Sequence, residues 1–203
     1  MAQALPAPRQ ARSRATRQRL LEATLAAILE LGLARASTPE VCRRAGVSQG
    51  ALFKHFASKA TLIAAATEHL FGRLVEDFRR AFAEVADEPD RVAAAVCALA
   101  AVFREPRLAV AFELYVAART DEELHAALAP VLARHRENLH AEARALFPEA
   151  ARAPRFLPVV DAVVDALQGA AGGALVLPAP ASEARRLDEL VAYARRELAV
   201  AQA

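Results

Sequence analysis

The sequence predicts an all-α protein in two parts, a small N-terminal helix-turn-helix unit followed by a larger helical body. Three observations carry this. Ala and Leu dominate an apolar fraction of 55%, aromatics are at 5%, and only 7 Gly occur in 203 residues, a composition suited to packed helices. Apolar residues recur at three- and four-residue spacing along most of the chain, which is the period of one helical face. Finally, the stretch STPEVCRRAGVSQGALFKHFASK, Ser37 to Lys59, sets two short helices on either side of a glycine turn and starts a third.

Residues 1–13 are rich in Pro, Ala and Arg and read as a disordered basic arm, either lying in a groove or against phosphates, or inert. A first helix is expected from about Ser13 or Thr16 to Leu31, with Leu20, Thr24 and Ile28 on one stripe, Leu21 and Leu25 beside it, and Gly32 ending it. Ser37 or Thr38 caps the next helix, Pro39 suits its first turn, and Glu40 completes a capping box that satisfies orphan backbone donors. That helix runs to about Ala45. Gly46 supplies a left-handed ending, Val47 tucks back as an apolar anchor, and Ser48 caps a helix from Gln49 to about His55. Val41 and Leu52 share a small core, Cys42 allows close approach, and Gln49, Lys54 and His55 remain on the outer face.

From Lys59 a long helix is expected to about Val85, broken by DEPD at Asp87 to Asp90. A helix from about Pro89 to Phe103 follows, then one opened by Pro106 and running to about Ala118. Thr120 is expected to cap a long helix to about Phe147, with an acidic first turn that opposes the dipole and a kink at Pro130. Two last helices, about Pro154 to Val176 and Ser182 to Val200, carry Val160, Val164, Leu167, Ala171 and Ala174 on one and Leu187, Leu190, Val191, Ala194 and Leu198 on the other. These stripes either pair with their copies as a four-helix dimer interface or close the monomer's own core; dimerisation is the expected outcome, because a short recognition helix needs two-fold repetition for specificity.

Charge is distributed unevenly. Residues 1–60 hold ten Lys or Arg against three Glu, a net +7; the remainder holds sixteen basic and twenty-one acidic residues, −5, within a total of +2. A basic quarter that coincides with helix-turn-helix spacing points to double-stranded DNA. The Gln49 amide suits bidentate pairing with adenine, and Gly50 lets the backbone approach the groove floor. Ser37, Thr38, Ser48, Lys54, His55 and Lys59, with Arg14 and Arg17 near the first helix start, suit phosphates. Phe53 suits a sugar or thymine methyl, or is partly core; Phe56 is core.

These residues also carry a family resemblance. Arg17 before Leu20 and Leu21, Gly32, Ser37, then Ala45 to Ser48, Gly50, Phe53, His55, Phe56 and Lys59 make the stretch similar to the DNA-binding domain of tetracycline-repressor-like (TetR) bacterial regulators. Two positions depart from that pattern. Phe53 stands where Tyr is usual, removing a hydroxyl commonly offered to a phosphate, and Ala60 follows Lys59 where an acidic residue is common. The resemblance implies a DNA-binding domain over residues 14–60 and, over 61–203, an effector-binding and dimerisation domain with a small-molecule site among its central helices. On the residue pattern, Phe78, Phe82, Phe103, Phe112, Tyr115, Leu132, His135 and Leu139 are candidates for that site, or simply core; Tyr115, His135 and Arg119 are the polar groups able to orient a ligand. Few polar residues there suggest a largely apolar effector.

Other classes find less support. No nucleophile elbow, phosphate loop or zinc helix motif occurs, and His125, His135 and His140 do not stack on one helical face, so neither an enzyme nor a metal or cofactor site is expected. Cys42 and Cys97 are too few for a disulfide framework and read as buried thiols in a reducing compartment. With no uncharged apolar span and no signal-peptide core, the expected location is the cytoplasm. The expected function is a homodimeric repressor released from a palindromic operator by a small ligand. The alternatives are a regulator or activator controlled by a protein partner, and a helical nucleic-acid-binding adaptor without effector.

Overall fold

A computed structural model describes residues 8–85 and 88–199. Among the described residues there are nine α-helices, one 3-10 turn and no strand: α1 (Pro8–Leu31), α2 (Thr38–Ala45), α3 (Gln49–His55), α4 (Lys59–Val85), α5 (Arg91–Phe103), α6 (Leu108–Ala118), α7 (Glu122–Leu146), the turn Ala150–Arg152, α8 (Phe156–Ala174) and α9 (Pro180–Ala199). The fold is therefore all-α.

Several boundaries differ from expectation for identifiable reasons. The first helix begins at Pro8 rather than near Ser13: Pro8 is pre-set for a first turn, and the following Ala, Arg and Gln residues are good helix formers with no glycine among them. The expected disorder of the arm falls, for residues 1–7, outside the described residues. The α7 cap is Asp121, whose carboxylate accepts the Leu124 N–H at 2.9 Å, and not Thr120, whose hydroxyl donates to Ala117 O at 3.4 Å at the end of α6. Asp90 caps α5 through the Ala93 N–H at 3.1 Å. Pro106 and Arg107 form a turn closed by Leu108 N–H to Glu105 O, so α6 starts two residues later than expected. α7 continues through Pro130, which is exposed and leaves one carbonyl of the preceding turn without its helical donor. Cys42 is buried, but Cys97, expected inside, is exposed on α5.

The chain forms two compact units, one of residues up to Leu70 with Val110–Val131, the other of Phe71–Ala109 with Leu132 onward. In the first, α1 packs on α2 and both meet α3. Leu20, Ile28, Val41, Leu52 and Leu62 are almost wholly inaccessible there. Thr24 and Thr67, buried and polar, hydrogen-bond back to Leu20 O (2.7 Å) and Ile63 O (2.9 Å), so neither hydroxyl is orphaned. In the second unit, α5, α8 and α9 pack on one another. Ion pairs tie α9 to both ends of α5, Arg104 to Glu183 at 2.6 Å and Arg195 to Asp90, while Arg155 meets Glu197 at 2.5 Å. No described helix is long and apolar enough to cross a membrane.

Candidate nucleic-acid interface

Local chain chemistry sets the helix-turn-helix. Ser37 Oγ accepts the Glu40 N–H at 3.4 Å, starting α2 as expected. The reciprocal half of the capping box does not form: the Ser37 N–H bonds Arg35 O, and the Glu40 carboxylate turns instead to Arg43 (2.7 and 2.8 Å) and Arg44 (2.7 Å). Arg44 also reaches Glu30 at 2.7 Å. The guanidinium of Arg43, and then that of Arg44, hold the Glu40 carboxyl down to about 2. Two of the ten cations counted in residues 1–60 are thus already neutralised.

The helix ends as its glycine requires. Gly46 sits at φ 64°, ψ 42°, its N–H bonds Arg43 O, and the Val47 N–H reaches Cys42 O, the two bonds of a Schellman ending. Ser48 Oγ then accepts the Ala51 N–H at 3.2 Å and α3 begins. Leu52 anchors α3 to the core with no exposed surface, while Gln49, Gly50, Phe53 and Lys54 all lie on the outside. Phe53 is 49% exposed, which puts it on the outer face rather than in the core. A Cβ built on Gly50 would meet only Ser48 Oγ, at 3.9 Å, so nothing within the protein demands glycine there.

Around α3 the other candidates divide. Ser37 and Ser48 are exposed and Thr38 half-buried. His55 is half-buried beside Phe56, with ring centroids 6.3 Å apart, and Phe56 is core as expected. The Arg17 guanidinium lies 5.4 Å above the Phe56 ring, which fixes its position while leaving it exposed. Arg14 is exposed and makes no ion pair among the described residues; Arg12 and Arg19, which the motif-based reading left out, share that state. Lys59 is half-buried with Nζ 3.4 Å from Leu33 O, a partner its spacing did not announce. Among the described residues no group of three or more His, Cys, Asp or Glu is arranged to hold a metal.

The second unit contains a cavity of ≈ 70 Å³ bounded only by Ala, Val, Leu and Phe. Of the eight ligand candidates, Phe82 and Leu139 line it. Phe78 is buried and stacks on Phe82 at 6.1 Å; Phe103 and Leu132 are half-buried away from the lining. His135 stacks on Phe71 at 4.1 Å, its Nδ1 is buried without a hydrogen-bond partner among the described residues, and burial drives its pKa down to about 4. Phe112 and Tyr115 pack edge to face at 6.4 Å within the first unit. The cavity also takes Val160, Val164, Ala194 and Leu198 from the stripes assigned to dimerisation, and Leu167 and Val191 are buried in the chain alone. Ala171, Leu187 and Leu190 are half-buried and Ala174 is exposed. Sequence reasoning missed the α5 wall, Val92, Val96 and Leu99, although its apolar spacing was visible.

Comparison with known proteins agrees with this geometry. The profile of bacterial regulatory proteins, tetR family, matches residues 20–66. An uncharacterised HTH-type transcriptional regulator of Mycobacterium tuberculosis is 38% identical over 188 residues, covering 90% of this chain and 94% of the relative. Among solved structures, the multidrug binding protein EbrR complexed with imidazole aligns with a TM-score of 0.65 at 26% identity, over 87% of this chain and 93% of EbrR. A TetR-family transcriptional regulator from Mesorhizobium loti has the same fold, with a TM-score of 0.72 at 17% identity over 93% of this chain and 98% of its own. With its capped helix pair presenting an uncovered α3, the chain belongs to the tetR family of bacterial regulatory proteins and is a non-enzymatic, DNA-binding transcriptional regulator.

Proposed function

We propose that the protein is a cytoplasmic homodimeric repressor that binds a palindromic operator and is released from it by a small, largely apolar ligand. The observation that carries the DNA half of this reading is the outer face of α3, where Gln49, Gly50, Phe53 and Lys54 stand clear of the protein between the caps at Ser48 and Phe56. Seven helical residues span only about 10 Å, so one head reads a few base pairs and two heads on successive major grooves supply the specificity. In this reading residues 14–60 are the head, residues 61–203 the body, and residues 1–13 an arm against the DNA backbone.

The wholly apolar cavity supports the ligand half. At ≈ 70 Å³ it accepts a small apolar fragment, and a larger effector requires its walls to part, which is how occupancy would alter the body. His135, half-buried with its Nδ1 shielded from water, is not among the residues that line this cavity, so a ligand held there is gripped by apolar contact. EbrR, crystallised with imidazole and with proflavin, supports a small ring compound as effector.

The test is binding to the DNA upstream of the protein's own gene, titrated with salt and with random duplex as competitor. A protected palindrome that survives the competitor is expected; equal binding to every duplex would overturn the operator reading. With that site in hand, Gln49→Ala should relax preference at one position per half-site by about 1–3 kcal/mol. Equal losses on all sequences would remove Gln49 from base reading.

A further inference from the structure

α1 ends on Gly32 at φ 80°, with the Gly32 N–H bonded to Ile28 O at 2.8 Å. This is the single-bond αL ending, and it leaves the next donor, the Leu33 N–H, without the carbonyl that a Schellman ending provides. The end of α2 shows the contrast, since there the Val47 N–H finds Cys42 O within its own helix. At Leu33 the missing partner arrives from 80 residues away. Glu113, in the middle of α6, accepts the Leu33 N–H through Oε2 at 2.7 Å. The carbonyl of the same residue takes Lys59 Nζ at 3.4 Å, from the first residue of α4. Both polar groups of Leu33 are therefore held by charged side chains outside α1 and α2. The turn they hold, closed by Arg35 and Ala36 N–H groups on Gly32 O, feeds directly into the Ser37 cap of α2.

We infer that Glu113 is a positioning residue for DNA binding: by completing the end of α1 from α6, it fixes the turn that sets α2 and α3 in their reading geometry. A carboxylate bonded to a backbone N–H is a charge-assisted contact, stronger than a neutral one. It is also intolerant of displacement, since a shift of α6 by about 1 Å takes a bond of this length beyond hydrogen-bonding range. α6 thus has a direct hold on the head, and any state of the protein that moves α6 releases it. The electrostatic role of the same side chain runs the opposite way. A carboxylate near DNA repels phosphates, so deleting it for charge alone strengthens binding to every duplex.

That opposition of sign makes the proposal testable, and it rests on the operator reading above. Glu113→Ala removes acceptor and charge while keeping a strong helix former in α6; Glu113→Gln removes the charge and keeps an acceptor oxygen. Backbone amide exchange at Leu33 and binding to the operator and to a random duplex are measured for both variants and the unaltered protein. The expected result for Glu113→Ala is Leu33 exchange about tenfold faster and operator affinity about fivefold lower, with random-duplex affinity equal or higher. Glu113→Gln restores most of both quantities. Two variants that behave alike and tighten on both duplexes would reduce Glu113 to a surface charge and overturn the inference, as would a Leu33 amide whose exchange ignores the substitution. If the unaltered protein selects no operator, the operator reading falls, while Leu33 exchange still decides whether Glu113 holds the turn.

Discussion

At the scale of single residues, His135 ties burial to pH. Its ring lies flat on Phe71 and its Nδ1 is cut off from water, so protonation in the folded state is penalised and its pKa falls from 6.5 to about 4. Above pH 6.5 neither folded nor unfolded chain holds the proton, and the residue is silent. Between pH 6.5 and 4 the unfolded chain binds a proton that the folded one refuses, so stability falls as pH falls through that window. At 1.36 kcal/mol per unit, the full loss approaches roughly 3 kcal/mol at the acid end. His135→Phe keeps a ring against Phe71 and has nothing to titrate. Its urea unfolding free energy, measured from pH 7 to pH 4, should rise relative to the parent as pH drops; a difference that stays flat across the window would show that the imidazole is not withheld from protons. A constant offset from the slightly larger ring leaves that slope untouched.

At the scale of elements, α2 shows how a count of charges misleads. Arg43 and Arg44 contribute to the basic quarter of the sequence, yet Glu40 holds both and Glu30 holds Arg44 again. Glu40→Gln keeps the helix position and frees Arg43 fully and Arg44 in part. Binding to any duplex should tighten, and the dependence of log K on log salt should steepen by about one to two units if the freed groups reach phosphates; an unchanged slope would mean that α2 turns these side chains away from DNA. Because the Glu40 carboxyl is held at about 2, the parent's pairing persists as pH falls below 4.5 and is lost only as pH approaches 2, so the two proteins should differ at any pH suited to DNA binding. The Glu40 pairs were legible, since Arg43 and Arg44 stand three and four residues along the same helix. So were the caps at Ser37 and Ser48 and the glycine ending at Gly46, each of which acts within five residues of chain. Thr120 and Asp121 are adjacent cap formers, and residue type alone does not choose between them; Asp121 takes the cap. Glu113 on Leu33 and Glu30 on Arg44 join residues 80 and 14 apart, and no local pattern announces either. The cavity lining was the least legible, because an apolar stripe at helical spacing looks the same whether it faces solid core, as Phe78 does, or a cavity, as Phe82 and Leu139 do.

At the scale of the whole molecule, the helices proposed for dimerisation are already partly spent within the chain. Val160, Val164, Ala194 and Leu198 line the cavity, and two ion pairs hold α9 along α5, so the proposed homodimer has less of these stripes free to meet a partner and draws on other surface. The connection between α8 and α9 offers it. Leu175, Val176 and Leu177 are consecutive and 55%, 90% and 77% exposed, the longest run of exposed large apolar side chains among the described residues. Scattered apolar residues on a surface need no explanation, whereas three in succession beside a small-residue helix end are costly to leave in water. In the proposed homodimer a two-fold axis near them would bury each run twice, and burying one Val side chain on both protomers is worth about 3–6 kcal/mol. Val176→Asp replaces that gain with two like charges brought together. Sedimentation should show the dimer weakened by roughly 100-fold or more, and operator binding should lose its cooperativity with it. Val116, a solitary exposed Val at 68%, provides the control, since Val116→Asp should leave the assembly intact. If Val176→Asp remains as dimeric as that control, the α8–α9 connection is solvent in the assembly, and the half-buried faces carrying Leu187 and Leu190 must supply the interface instead.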